Sequence, residues 1–400
     1  MKILYLTANF SPQNNAAAIR NREIISYWKK WNHKVTVLTS SPTSFSGEKM
    51  AVSDDEADIH RFSLPSFYKG NFVLRSIVYC LSVYYFVKVG LRILKQDKYD
   101  IIFVDTPHLL VAYSASLLSR IKAVPFFLYV ADLWPESIAS ICKAPSFFLY
   151  VLRLIAFRVY HRSRHIFFAS PNFTSFLVDK YKLSEKKITL SVNGVKDSFI
   201  GQQQKLLYPK LTGIYRIGYA GNFGFAQDLS QLISFTDFVR KNFSKTFFQV
   251  HLLGGGAQDK ILREEVNKKL LRNFFFNSEI SYDKTQDKIK NWDFGVVCLK
   301  NDRFFRTVIP SKFFLYLSVG IPVIYIGPQS WVSAVIEKHK LGLVILNSLP
   351  FLSQMESLYK FLESRSRNLL CKSELNFYSR KFSREKQSLN MIHQIRNIVV

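Results

Sequence analysis

Acidic residues are scarce in this chain: 29 Asp and Glu stand against 55 Lys and Arg, a formal net charge of +26. That excess creates a positive potential over much of the surface and makes a polyanion the expected partner, whether nucleic acid, anionic lipid headgroups or a phosphate-bearing substrate. Cysteine is scarce too. Cys80, Cys142, Cys298 and Cys371 lie far apart and form no CxxC pair, and of the eight histidines only His161 and His165 have helical spacing. Neither a disulfide framework nor a metal site is suggested. The His pair could share a metal only on one helix turn; set among arginines, with no acid or thiol nearby, it reads as a solvated basic face. Long apolar runs are missing as well. The most apolar segment, Phe72 to Leu94, is broken by Arg75, Lys88 and Arg92, leaving about a dozen uncharged residues in a row, too few to span a bilayer. The opening KILYLTANF lacks the ordered basic, apolar and cleavage regions of a signal peptide, so export is not expected. Repeats, low-complexity tracts and zinc-finger, RNP or basic-zipper patterns are absent, which argues against a nucleic-acid partner.

What is present is a folded composition, 48% hydrophobic and 15% aromatic, in a chain longer than one hydrophobic core usually supports. Short β-branched and aromatic runs alternate with helical stretches: KILYLTA, KVTVLTS, DIIFVD, PFFLYVAD, HIFFAS and KITLSVN. Several are apolar at both parities, as strands of a parallel sheet covered on both faces should be. Residues 200 to 215, IGQQQKLLYPKLTGIY, lack sustained periodicity, and YRIGYAGN, FFQVHLLGGG, DFGVVCLK, PVIYIGP and GLVIL then restart the alternation. The expected architecture is α/β, with two doubly wound Rossmann-like domains over 1–200 and 201–380, and a helix over 381–400 that closes the second domain or crosses back to the first.

Ligands of open α/β sheets bind beyond the carboxyl ends of the strands, which singles out four places. The first is the turn TANFSPQNNAAAIR, with Asn15, Ala16 and Arg20; it lacks a GxGxxG fingerprint, and an ordinary βα loop explains it equally well. The second is ADLWPES, where Asp132 and Glu136 suit acid, base or hydroxyl-orienting work and Trp134 suits stacking on a sugar, Asp132 otherwise capping the next turn. The third is a pair of turns, with Gly221, Asn222 and Gly224 in one and Gly254, Gly255 and Gly256 in the other. Glycines feeding helix starts expose backbone N–H groups to a phosphate or ribose. The fourth is NDRFFRTVIPSKFF, whose Arg303, Arg306 and Lys312 could hold a pyrophosphate or merely form a solvated face.

In their order, NFSPQNNAAAIR, HKVTVLTSSP, DLWPES, VNGV at 192–195, YAGNFG, the GGG turn and PSKFFLYLSVGIPVI resemble the family 4 glycosyltransferases of the GT-B type, particularly the branch that builds bacterial surface polysaccharides such as colanic acid and O-antigen. The resemblance covers nearly the whole chain. It implies a nucleotide-sugar donor site in the second domain, a lipid-linked or saccharide acceptor site in the first, a cleft between them, and retention of anomeric configuration with neither metal nor cofactor. By position it places Gly221, Asn222, Gly254, Gly255, Gly256, Ser311 and Lys312 on the donor, Asn15, Ala16, Arg20, Asp132, Trp134 and Glu136 on the acceptor side, and Asn193 and Gly194 near the interdomain face. Lys312, Arg306 and Asp132 are the expected catalytic groups. The chain departs from the family pattern at Asn15 and Ala16, where paired glycines are common, at Leu315 and Val308, where glutamates are common, and at Gln227 and Asp228, where Arg and Lys are usual.

Phe72 to Leu94 and Ser146 to His165 also combine aromatics with arginines in a way that suits a lipid interface, so the expected location is cytoplasmic, peripheral to the inner face of the plasma membrane. A nucleotide-sugar 2-epimerase would share the layout, and a non-catalytic partner subunit would account for Leu315 and Val308.

Overall fold

In a computed structural model, residues 1–13, 15–42, 58–65, 72–106, 109–141, 144–200, 214–243, 247–280, 282–363 and 372–399 are described. Cys142, Cys371 and most of the proposed linker, 201–213, lie outside them, as does the side chain of Arg75. The chain divides into two compact units, Met1–Asn193 with Arg384–Val400, and Gly194–Ser383.

The first unit holds β1 (Lys2–Thr7), β2 (Lys34–Ser40), β3 (Ile59–Phe62), β4 (Ile101–Asp105), β5 (Phe126–Val130), β6 (His165–Phe168) and β7 (Ile188–Leu190) in one parallel sheet, ordered β3-β2-β1-β4-β5-β6-β7. Its helices are α1 (Ala16–Lys30), α2 (Phe72–Gln96), α3 (Leu109–Lys122), α4 (Glu136–Ile141), α5 (Ser146–Arg162) and the single turn α6 (Phe173–Ser175). The second unit's sheet is β8 (Ile214–Asn222), β9 (Phe247–Gly255), β10 (Phe274–Asn277), β11 (Phe294–Cys298), β12 (Val323–Gly327) and β13 (Gly342–Leu346), ordered β10-β9-β8-β11-β12-β13 and again parallel. Its helices are α7 (Ser230–Asn242), α8 (Asp259–Lys268), α9 (Tyr282–Ile289), α10 (Ser311–Ser318), α11 (Trp331–Lys338), α12 (Met355–Glu363) and α13 (Lys372–Lys381). In each unit the order reverses beside the first strand, between β1 and β4 and between β8 and β11. These are the crevices where doubly wound sheets bind ligands.

Two strands escape the sequence pattern. β3 and β10 are sheet edges only four residues long, and such strands need no continuous apolar run because one flank stays open.

The first core shows why both parities are apolar. Ile3, Tyr5, Val35, Val37, Ile101, Phe103, Phe127 and Tyr129 face one layer together with Ile24, Ile25 and Trp28 of α1 and Met391, Ile392 and Ile395. The last three belong to α14 (Arg384–Val399), which thus packs in the first unit. Trp28 Nε1 donates to Ser388 O at 3.1 Å, and the buried Arg384 ion-pairs with Glu23 and donates to Asn193 O at 3.0 Å. The alternate residues Leu4, Leu6, Leu38, Ile102, Val104, Phe126 and Leu128 are equally buried and point to the opposite face, since side chains alternate along a strand.

α2 corrects one expectation. It is a continuous helix of 25 residues, and Ser76–Gln96 is long and apolar enough to cross a membrane by length and composition, with mean hydropathy 1.6. Counting uncharged residues in a row understates such a helix, because Lys and Arg near an end can run their apolar stems alongside lipid. Here α2 packs on α3 and on the sheet. His161 and His165 also part company: one lies in the last turn of α5 and donates from Nε2 to Tyr181 O at 2.8 Å, while the other opens β6 beside Thr189 Oγ1.

Candidate functional site

The two glycine turns of the second unit are direct neighbours. β8 and β9 pair in parallel with Gly221 opposite Gly254 and Asn222 opposite Gly255, so both turns leave the sheet at one edge of its carboxyl pole. Hydrogen bonds from Phe223 N to Gly255 O, 2.8 Å, and from Gln258 N to Phe223 O, 2.9 Å, tie the turns together. Gly254 and Gly256 have φ of 142° and 153°, and a Cβ would drive the first into Gly221 O and the second into Asn222 Oδ1. Only glycine tolerates that backbone. Gly255 differs, for a Cβ there would meet nothing within 4 Å. Its backbone therefore borders open space at the approach to α8, whose Gln258 N-cap makes no side-chain capping bond.

Lys312 reaches the same corner from α10. Its Nζ lies 3.6 Å from where a Gly221 Cβ would stand and 4.6 Å from the Tyr219 ring centroid, over the ring. The helix is seated by Tyr316, whose hydroxyl accepts from Ala220 N at 3.0 Å. Desolvation pushes the Lys312 ammonium down to about 8, and among the described residues no carboxylate pairs with it. Ser311 opens α10 beside the lysine; the preceding Pro310 supplies no side-chain cap, and its carbonyl accepts from Phe313 N at 3.0 Å. A desolvated cation and an open glycine turn meet at this corner, groups of the kind that can receive phosphate oxygens.

The remaining residues of this unit are set around that corner. Asn222 is exposed, and Arg306 is exposed on a short turn anchored by the buried Phe305. Leu315 is buried in the core face of α10, 7% exposed, and so offers no polar atom to a ribose. Asp228 accepts from Gln231 Nε2 at 2.5 Å, across the first turn of α7.

In the first unit Asp132 sits beyond the end of β5, half-buried. Burial pushes its carboxyl up to about 6, opposed by the Ser137 hydroxyl and the Leu133 amide. A carboxyl held near neutrality can exchange a proton under working conditions. Trp134 lies edge-on to Tyr79, with ring centroids 5.8 Å apart. Glu136 is committed to ion pairs with Arg153 and Lys180. Asn15 caps α1, accepting from Ala18 N at 2.9 Å and donating to Asn9 Oδ1 at 3.1 Å, and Ala16 is exposed beside it.

Arg20, expected on the acceptor side, turns inward. It is 4% exposed, bonds Asp105 Oδ1 at 2.5 Å and stacks 4.5 Å from the Tyr129 ring centroid. Asp105 is the residue that reading the sequence missed. Buried at the end of β4, it also accepts from Asn21 at 2.8 Å and from Thr7 at 3.3 Å, and Asn21 donates to Asn9 O. The network fastens the first turn to the β1/β4 crevice. Its signal was a carboxylate closing the strand DIIFVD. Among the described residues no group of three or more His, Cys, Asp or Glu side chains could hold a metal ion.

Comparison with known proteins gives this geometry its frame. Residues 17–199 match the model of Glycosyltransferase Family 4. No curated protein matches the chain. Among solved structures, the Anabaena protein Alr3699/HepE in complex with UDP and glucose is similar with a TM-score of 0.68 and 12% identity over 99% of this chain and 100% of that one. The lipopolysaccharide outer core galactosyltransferase WaaB, in its apo form, gives 0.63 and 13% over 99% of both, and the trehalose-6-phosphate synthase OtsA gives 0.70 and 10% over 99% of both. Residues 17–199 of the chain thus match the Glycosyltransferase Family 4 model, and the whole chain has the two-sheet α/β fold of these solved structures.

Proposed function

We propose that this enzyme transfers a sugar, with retention of configuration, from a nucleotide-sugar donor to a lipid-linked or saccharide acceptor in bacterial surface-polysaccharide synthesis at the cytoplasmic face of the plasma membrane. The observation that carries the reading is the unpaired, desolvated Lys312 beside the paired glycine turns. As the bond from sugar to diphosphate breaks, negative charge grows on the leaving group. Cations and helix starts already in place stabilise that charge without reorganising. Lys312 holds the diphosphate, Arg306 closes over it, and the backbone at Gly255 and Ser311 supplies N–H donors, so the charge is met without a metal ion. Asp132 orients the acceptor hydroxyl, and Trp134 packs along the acceptor. The HepE structures that hold UDP and UDP-glucose and the role of WaaB in the lipopolysaccharide outer core support this substrate class.

Thermal stabilisation across a panel of nucleotide sugars tests the donor, because a ligand that binds only the native state raises its melting temperature. One nucleotide sugar and its nucleoside diphosphate are expected to stabilise the chain, and a flat response across the panel would sink the reading. Product analysis with donor alone separates transfer from 2-epimerisation, which changes the donor without an acceptor. The burial of Leu315 where the family commonly has a glutamate favours a second reading, a weakened enzyme acting as a partner subunit. Donor binding without turnover on any acceptor extract would support it.

A further inference from the structure

Tyr219 is fully buried near the carboxyl end of β8. The paired register of β8 and β11 runs only as far as Gly218 and Gly295, so the tyrosine stands where the two strands part, at the crevice of the second sheet. Two contacts leave it. Its hydroxyl donates to Asn222 O at 2.7 Å, closing the YAGN turn on itself. Its face carries the Lys312 ammonium, with Nζ 4.6 Å from the ring centroid. One side chain thus holds both walls of the corner, the turn after β8 and the cation that arrives from α10. Burial pushes the phenol well above its usual range, so the hydroxyl stays protonated and keeps donating while the lysine titrates.

Any large core residue would fill this space, but an aromatic face under a desolvated ammonium does more. Removal from water disfavours the charged form of Lys312, and that cost needs an offset if the group is to meet phosphate as a cation. A carboxylate would offset it, yet would also cancel the positive field and occupy the N–H donors that a ligand needs. A ring attracts the ammonium electrostatically without carrying net charge, which leaves charge and donors for an incoming anion. The other titratable groups of the corner do not take over this task. Cys298 of β11 and Tyr316 of α10 are buried, and burial pushes both well up, so both are neutral at working pH. Asp228, beyond β8, is bonded to Gln231.

We infer that Tyr219 is a positioning residue for the transfer: its ring keeps the Lys312 ammonium charged and aimed at the leaving diphosphate, and its hydroxyl holds the Asn222 turn in place beside it. The inference rests on the phosphate reading of this corner and deepens it, by naming what maintains a buried lysine in its working state.

NMR titration of the full chain, with lysine labelled at its ε-carbon, reads Lys312 directly, the resonance being identified by its loss in Lys312→Met. Tyr219→Phe keeps the ring and loses the hydroxyl, and Tyr219→Leu loses both. Tyr219→trifluorophenylalanine keeps the shape of phenylalanine while draining the negative face of the ring, so this arm stands even where the leucine variant fails to fold. The Lys312 midpoint should stay near the parent's in Tyr219→Phe. In the leucine and trifluoro variants it should fall by roughly half a unit to one unit, about a three- to tenfold loss of proton affinity. Inorganic pyrophosphate should raise the parent's midpoint, and its affinity near neutral pH should drop roughly three- to tenfold in Tyr219→Phe, through the lost bond to Asn222. A midpoint that fluorination leaves unmoved, one that falls as far in Tyr219→Phe, or unchanged pyrophosphate affinity in Tyr219→Phe would overturn the inference and make Tyr219 a packing residue. Pyrophosphate that leaves the parent's midpoint in place would remove the phosphate site, and the positioning role with it, even where the fluorinated ring still shifts the lysine, so the two failures read differently.

Discussion

Replacing Lys312 with Met separates the cost of a buried charge from its use. Methionine fills about the same volume without an ammonium, so what changes is the desolvated cation over Tyr219. Burial lowers that group from 10.5 to about 8, which at 1.36 kcal/mol per unit corresponds to about 3 kcal/mol of instability for the charged form. The folded value lies below the unfolded one, so the protonated group weighs against folding in full below pH 8. The penalty shrinks as pH rises from 8 to 10.5, where the unfolded chain loses its proton as well. At pH 7 Lys312→Met should therefore melt higher than the parent, by roughly 6–12 °C if the second unit unfolds cooperatively, and the gap should close by about pH 10.5. The same substitution should abolish turnover and remove the stabilisation that a nucleoside diphosphate gives the parent, since that ligand supplies the missing counter-charge. Differential scanning fluorimetry from pH 6 to 10.5, with and without the diphosphate, reads all three effects. If Lys312→Met melted lower at pH 7, or kept the ligand's stabilisation, the lysine would be a packing residue and the site assignment would fail.

Asp132→Asn removes a carboxyl that burial holds at about 6; the parent is favoured below pH 3.8 and loses that advantage as pH rises through 6, so at pH 7 the variant should be more stable by about 1–3 kcal/mol. Its transfer rate should fall more than its donor affinity, and equal losses would contradict an acceptor-side role. Gly254→Ala and Gly255→Ala make a matched pair: the first, with φ of 142° and the Gly221 carbonyl in its way, should cost stability, while the second, with open space around it, should melt as the parent does and lose nucleotide affinity. Unimpaired binding in Gly255→Ala would place the phosphates elsewhere. Arg20→Ala leaves Asp105 charged and buried and should destabilise the first unit by about 3–5 kcal/mol; a change below 1 kcal/mol in denaturant unfolding would show that the pair is not structural.

The strand runs fixed much of this molecule before any tertiary contact was known. DIIFVD, PFFLYV and DFGVVC are apolar at both parities because helices cover both faces of a parallel sheet, and the glycines of YAGN and GGG marked turns that only glycine can make. The edge strands IHRF and FFFN stayed hidden, since their place is decided by pairing with β2 and β9 rather than by their own pattern. Among the site residues, the order of the chain named Lys312 and Asp132 but not their condition. Removal from water, which depends on residues far away in sequence, lowered one and raised the other. Arg20 shows the same limit from the other side. Sequence gave a cation in a promising turn, and only the fold could set Asp105, 85 positions on, against it, because an ion pair is made by a meeting in space and leaves no periodic trace along the chain.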